Sequence, residues 1–147
     1  MSWTCNGCGT QDPALRYPSG KMKRCMDCQR FYNITVNAKR ARTHSEAPGL
    51  NITKAEFLAW VRSQDRSCFY CGVSEADLPL LGLVSQIGHP VQALGIDRLD
   101  ANVGYKIGNI ELCCFACNKA KGNVFSTEEM GRIGEAISTV WNSRLSD

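Results

Sequence analysis

With 147 residues, 44% of them hydrophobic and 21% charged, the chain can enclose only a modest core, in one domain or two very small ones. It has no long apolar run and a polar start (Met1-Ser2-Trp3-Thr4), so neither a membrane span nor a signal peptide is expected. The net charge of +3 hides an asymmetry, because residues 1–66 hold eleven Lys/Arg against five Asp/Glu and residues 67–147 hold six against nine.

Eight of the nine cysteines fall in pairs with two-residue gaps: Cys5/Cys8, Cys25/Cys28, Cys68/Cys71 and Cys114/Cys117, with Cys113 left over. In a chain without a secretion signal, metal binding is expected over disulfides. Two such turns present four thiolates in a closed tetrahedron, the arrangement of a structural zinc site. The sequential pairing closes the shorter loops and costs the least entropy, so the expected sites are Cys5/Cys8/Cys25/Cys28 and Cys68/Cys71/Cys114/Cys117. A thioredoxin-like redox role would explain one pair but not four.

In chain order, Arg16, Lys21, Lys23, Arg24, Arg30, Lys39, Arg40 and Arg42 are balanced only by Asp27, which suits either a phosphate backbone or an ordinary solvated face. Residues 42–51, with His44, Pro48 and Gly49, read as a loop. Thr53-x-x-Glu56 predicts a capped helix that buries Phe57, Trp60 and Val61. Between Val91 and Gly122, two short apolar runs bracket a polar turn and lead into Cys114-x-x-Cys117-Asn118, predicting strand, strand, helix. Ser126-x-x-Glu129 caps a last helix with Met130, Ile133, Ile137, Val140 and Trp141 at helical spacing, a stripe for the core or for a dimer seam.

In a hairpin-plus-helix unit, Asp97 on the first strand can face Asn118 at the helix start, and two hard oxygen ligands suit Mg²⁺. The block Asp97-Arg98, Asn109-Ile110 and Cys114-x-x-Cys117-Asn118-x-x-Lys121 resembles the zinc-bearing HNH (ββα-metal) nucleases. Longer strings, among them Tyr70-Cys71-Gly72, Gly95-x-Asp97-Arg98-x-Asp100 and Gly134-Glu135-Ala136-Ile137-Ser138, resemble a type II restriction endonuclease of that family across almost the whole chain.

The resemblance implies a small α+β, zinc-stabilised fold. Residues 1–50 would form a basic four-cysteine zinc ribbon or knuckle that contacts DNA, and residues 51–147 a zinc-braced ββα-metal core with a C-terminal helix. It further implies a bacterial, cytoplasmic homodimer that uses one Mg²⁺ and two Zn²⁺ per subunit to cut double-stranded DNA at a long A·T-rich palindrome, with no membrane or small-molecule substrate.

The family's usual general-base histidine after the first Asp is Arg98 here, which offers no acceptor but can clamp a phosphate. That leaves Tyr105, His44 and His89 as candidate bases. The resemblance favours Tyr105 in the Gly104-Tyr105 turn, places His44 near the scissile phosphate and leaves His89 outside the site. A nicking or homing HNH endonuclease and a non-catalytic zinc-ribbon DNA-binding protein are the alternatives.

Overall fold

The structure, a computed structural model, describes residues 3–44 and 49–146, with 41–44 as helical backbone alone. They group into two compact units: Met1–Gln64 with Asn102–Gly108, and Asp65–Ala101 with Asn109–Asp147.

The first unit opens on a knuckle at Cys5-Asn6-Gly7-Cys8-Gly9. The Cys5 N–H donates to the Thr10 carbonyl and the Gly9 N–H to the Cys5 carbonyl, both at 2.9 Å. Gly9 sits at φ +79°, where a side chain would be strained. Cys25 then leads into α1 (Met26–His44). No Gly or Pro interrupts residues 26–47, so α1 runs on through 42–44, where the sequence suggested a loop.

Helix α2 (Lys54–Arg62) starts at the expected Thr53/Glu56 capping box, which satisfies two N-terminal N–H groups reciprocally. Phe57 and Val61 are fully buried, and the Phe57 ring packs 5.5 Å from Phe31 of α1. Truncating Phe57 to Ala should cost about 3–5 kcal/mol, because the hole it leaves lies between two helices. Arg30, counted in the basic run, is buried and bonded to the fully buried Asp27, which Arg62 also approaches at 3.4 Å. A carboxylate this deep needs cationic partners, so Arg30 serves the core and not a phosphate.

The second unit contains a matching knuckle at Cys68–Gly72, a 3-10 segment at Glu75–Leu81 and the antiparallel strands β1 (Gly95–Arg98) and β2 (Ile110–Cys113). Helices α3 (Phe115–Lys121) and α4 (Thr127–Leu145) complete it. In the β register Asp97 pairs with Glu111 and Arg98 with Ile110. Helix α3 packs on β1, giving the expected ββα order. A hairpin over 83–91 is closed by the Ser85 N–H to the His89 carbonyl and by a Val84–Pro90 bridge.

Helix α4 has its own capping box at Ser126/Glu129. Its buried face is Met130, Gly134 and Trp141, while Ile133 and Ile137 are half-buried and Val140 is exposed. Gly134 is required where it stands, because a Cβ there would lie 2.3 Å from the Tyr70 carbonyl oxygen. The helix backbone therefore rests directly on the second knuckle.

Candidate active site

The two four-cysteine clusters assemble with the expected membership, and in each the four sulfurs lie within 4.8 Å of one another. The edge of a tetrahedral zinc–thiolate site is about 3.8 Å. The Cys8–Cys25 and Cys71–Cys114 sulfurs, at 4.0 Å and 3.6 Å, bracket that figure. All nine cysteines are free thiols, and Cys113 lies outside both clusters.

Each cluster joins a knuckle to a helix start. The Cys25 and Cys114 sulfurs accept from the N–H groups of Cys28 and Cys117, both at 3.4 Å, so they also cap the first turns of α1 and α3. Burial works to raise the Cys5 thiol, but N–H donors from Cys25, Cys8 and Gly7 outweigh it and bring the pKa down to about 6. In the same cluster burial and the neighbouring Cys25 push the Cys28 thiol up, so a bound metal would be what keeps all four as thiolates. In the first unit Arg62 donates to the Cys8 sulfur at 3.3 Å and Lys54 to the Gly7 carbonyl at 2.8 Å, so α2 braces the first cluster from outside.

Asp97 sits in β1 with its side chain only 8% exposed. Two donors meet on one of its oxygens: the Tyr70 hydroxyl at 2.6 Å and the Lys121 ammonium at 2.8 Å both bond Oδ2. Oδ1 accepts no hydrogen bond among the described residues. Lys121 also donates to the Arg98 carbonyl at 2.8 Å, and its charge lies 5.7 Å from the centre of the Tyr70 ring. Burial first, and then the bond to Asp97, push the Tyr70 phenol well above its ordinary value, so it stays a donor.

Asn118 stands one turn before Lys121 on α3 and therefore shares its face. Its exposed amide makes no hydrogen bond among the described residues, and with Gln86, Phe115 and Lys119 it lines an open cleft. Asp97 and Asn118 thus each offer an oxygen without a hydrogen-bond partner, a donor set that fits Mg²⁺. Arg98 ends β1, half-buried. Asn109 braces the chain after β1, accepting from the Asp100 N–H at 2.9 Å and donating to the Asp100 carbonyl at 3.1 Å.

Tyr105 belongs to the first unit. Buried there, it exchanges backbone hydrogen bonds with Gly49 and Asn51 across an isolated bridge to Leu50. His89 is exposed in the 83–91 hairpin of the second unit. His44 ends α1, and its side chain lies outside the described residues.

Neither Tyr70 nor Lys121 stood among the site residues expected from sequence, although both lie in the strings that carry the resemblance. Lys121 could have been found from its spacing, because a residue three beyond Asn118 on one helix must share its face. Tyr70 lies twenty-seven residues before Asp97 and has no such signal.

The solved structure of the rare-cutting HNH restriction endonuclease PacI, described for an extraordinary mechanism of DNA perturbation, is similar to this chain. The identity is 37% and the TM-score 0.84, over 98% of each chain. The chain belongs to the HNH restriction endonuclease family. No family model matches it, and no curated protein is similar enough to report. Among the described residues no helix is long and apolar enough to cross a membrane.

Proposed function

We propose that the protein is a type II restriction endonuclease that hydrolyses both strands of DNA at a specific site in a Mg²⁺-dependent reaction. The observation that carries this reading is the 37% identity to PacI over 98% of both chains. The Asp97 environment supports it, with one carboxylate oxygen committed to Tyr70 and Lys121 and the other without a bond.

In this reading Asp97 and Asn118 would hold one Mg²⁺, which supplies positive charge beside the phosphate and the leaving oxygen when bound. Arg98, with His44, neutralises the phosphate and the charge that builds on it. Tyr105 orients or activates the attacking water. The water oxygen bonds to phosphorus, the P–O3′ bond breaks, and the products are a 3′-hydroxyl and a 5′-phosphate.

The two cysteine clusters hold zinc and have a structural role. Residues 1–50 act as the DNA-contact module, presenting Lys39 and Arg40 on the exposed side of α1, and residues 51–147 act as the nuclease core. The target is a long A·T-rich palindrome read by a homodimer, since a two-fold dimer presents one centre to each antiparallel strand. The bacterial cytoplasm, a reducing compartment, suits nine cysteines with no disulfide among them.

The direct test is to incubate the zinc-loaded protein with bacterial genomic DNA and Mg²⁺ and to map the new ends by sequencing. One recurrent palindrome with cuts in both strands is expected. Intact DNA would leave a zinc-ribbon DNA-binding protein, and single-strand nicks at an asymmetric site would identify a nicking enzyme. Sedimentation on a duplex bearing the mapped site should give two chains per duplex.

A further inference from the structure

We infer that Tyr70 and Lys121 are positioning residues that lock Asp97 so that it presents a single oxygen, Oδ1, to the catalytic metal, and that the second cysteine cluster thereby sets the geometry of the catalytic site as well as holding the fold. This rests on the proposed role of Asp97 as a metal ligand.

A carboxylate has two oxygens, and an aspartate with both available can turn about its last torsion or bind an ion through both. Asp97 has lost that freedom. Its Oδ2 takes the Tyr70 hydroxyl at 2.6 Å and the Lys121 ammonium at 2.8 Å, which fixes the plane of the group and leaves one oxygen. Both donors are themselves buried and held from more than one direction. Lys121 is anchored on the Arg98 carbonyl as well as on the carboxylate.

Tyr70 is placed by the knuckle, lying directly between Phe69, whose N–H bonds the Leu112 carbonyl of β2 at 2.8 Å, and the cluster residue Cys71. From the other side its backbone meets the α4 backbone at Gly134. Partners that orient a metal ligand in this way typically govern affinity by about 10- to 100-fold.

A chain of contacts therefore runs from the cluster sulfurs through Tyr70 to Asp97. Through Cys114, Cys117 and α3, the same cluster carries Asn118 and Lys121. All four groups that would shape the metal site hang from one four-cysteine cluster.

The sharpest variant is Tyr70→Phe, which deletes one hydroxyl and keeps the ring, whereas removing Lys121 would leave a buried carboxylate unpaired. Mn²⁺ is titrated into the full zinc-loaded chain on a duplex bearing the mapped site, with binding followed by electron paramagnetic resonance and cleavage followed in parallel.

Tyr70→Phe is expected to keep both zinc ions, weaken Mn²⁺ binding by about tenfold and recover most of its rate at saturating Mn²⁺. Wild-type Mn²⁺ affinity in Tyr70→Phe overturns the inference. So does loss of zinc or of the fold, which would assign the hydroxyl to stability alone. Asp97→Ala separates the ligand role of Asp97 from the positioning role of Tyr70: if it binds Mn²⁺ and cleaves as wild type does, the role of Asp97 itself is wrong. If Asp97→Ala is silent while Tyr70→Phe matches wild type, only the positioning role falls.

Discussion

The two cysteine clusters are built on one plan and carry different cargo. Cys5-Asn6-Gly7-Cys8-Gly9 and Cys68-Phe69-Tyr70-Cys71-Gly72 share a backbone pattern, with N–H to carbonyl bonds from Cys5 to Thr10 and Gly9 to Cys5 in one and from Cys68 to Val73 and Gly72 to Cys68 in the other. Each knuckle meets a second pair at a helix start. The same position is Gly7 in the first and Tyr70 in the second. Gly7 has no room for more, since a Cβ there would lie 2.9 Å from the Cys28 sulfur. Tyr70 instead sends a hydroxyl to Asp97. A four-cysteine knuckle is a rigid mount, and the residue between its cysteines decides whether it only staples the chain or also serves a site.

The largest effect should come from the second mount. Cys71→Ser or Cys117→Ser removes a ligand from a cluster whose four residues are all buried, and structural zinc sites contribute on the order of 10 kcal/mol or more. We expect one zinc ion per chain by elemental analysis, a collapsed second unit by circular dichroism and no cleavage. Cys8→Ser should be milder, since Cys8 is exposed and Lys54 holds the Gly7 carbonyl of the first knuckle independently of metal. Equal damage from both variants would erase the distinction between the clusters.

Next in size are the site residues. Asp97→Ala and Asn118→Ala should keep two zinc ions and bind DNA but lose about 10³-fold in cleavage rate, the equivalent of about 4 kcal/mol of transition-state stabilisation. Tyr105→Phe deletes only the phenolic oxygen and should lose about 10²-fold in single-turnover cleavage. Normal cutting by that variant, with loss in His44→Ala, would move the base to histidine.

Two glycine substitutions sharpen the contrast between the knuckles. Gly134→Ala forces a methyl group against the Tyr70 carbonyl and should lower stability by about 1–3 kcal/mol in chemical denaturation, with a fall in Mn²⁺ affinity. Gly7→Ala meets a sulfur and should perturb zinc retention in the first cluster while leaving Mn²⁺ binding at the proposed Asp97 site unchanged.

Much of this was legible in the sequence because local rules dominate where they are strong. The cysteine spacing gave both clusters, the Thr53/Glu56 and Ser126/Glu129 pairs gave the starts of α2 and α4, and the HNH block gave β1, β2 and α3. What escaped was non-local. The burial of Arg30 depends on Asp27 and on Arg62, thirty-five residues from that aspartate, so composition counted it as surface charge. The Tyr70 to Asp97 bond forms only once the cluster joins residues 68–71 to the segment that follows β2. Helix α1 as a whole was not legible: its basic, weakly amphipathic run offers no apolar stripe, and Pro48, which suggests a loop from Arg42, restricts only the residue just before it.

The smallest effect compares the same device in both units. Glu56 and Glu129 each accept from the backbone N–H of the residue that caps their helix, Thr53 and Ser126, at 2.9 Å. That bond, followed by the side-chain bond to the same residue, holds each carboxyl below its ordinary value of 4.5. A carboxyl with a lowered folded pKa stabilises the fold above its unfolded value, and the contribution is lost as pH falls through the folded one. Both helices should therefore loosen slightly below about pH 4.5, and the test must isolate the caps. Glu129→Gln keeps an acceptor without the titration and should flatten this part of the acid profile of denaturant midpoints, whereas Ser126→Ala should cost about 1 kcal/mol at neutral pH. Thr53→Ala should cost a similar amount in the first unit. An acid profile unchanged by Glu129→Gln would show that the cap does not titrate, while unequal losses from Thr53→Ala and Ser126→Ala would show that the nine-residue α2 and the nineteen-residue α4 depend differently on their first turns.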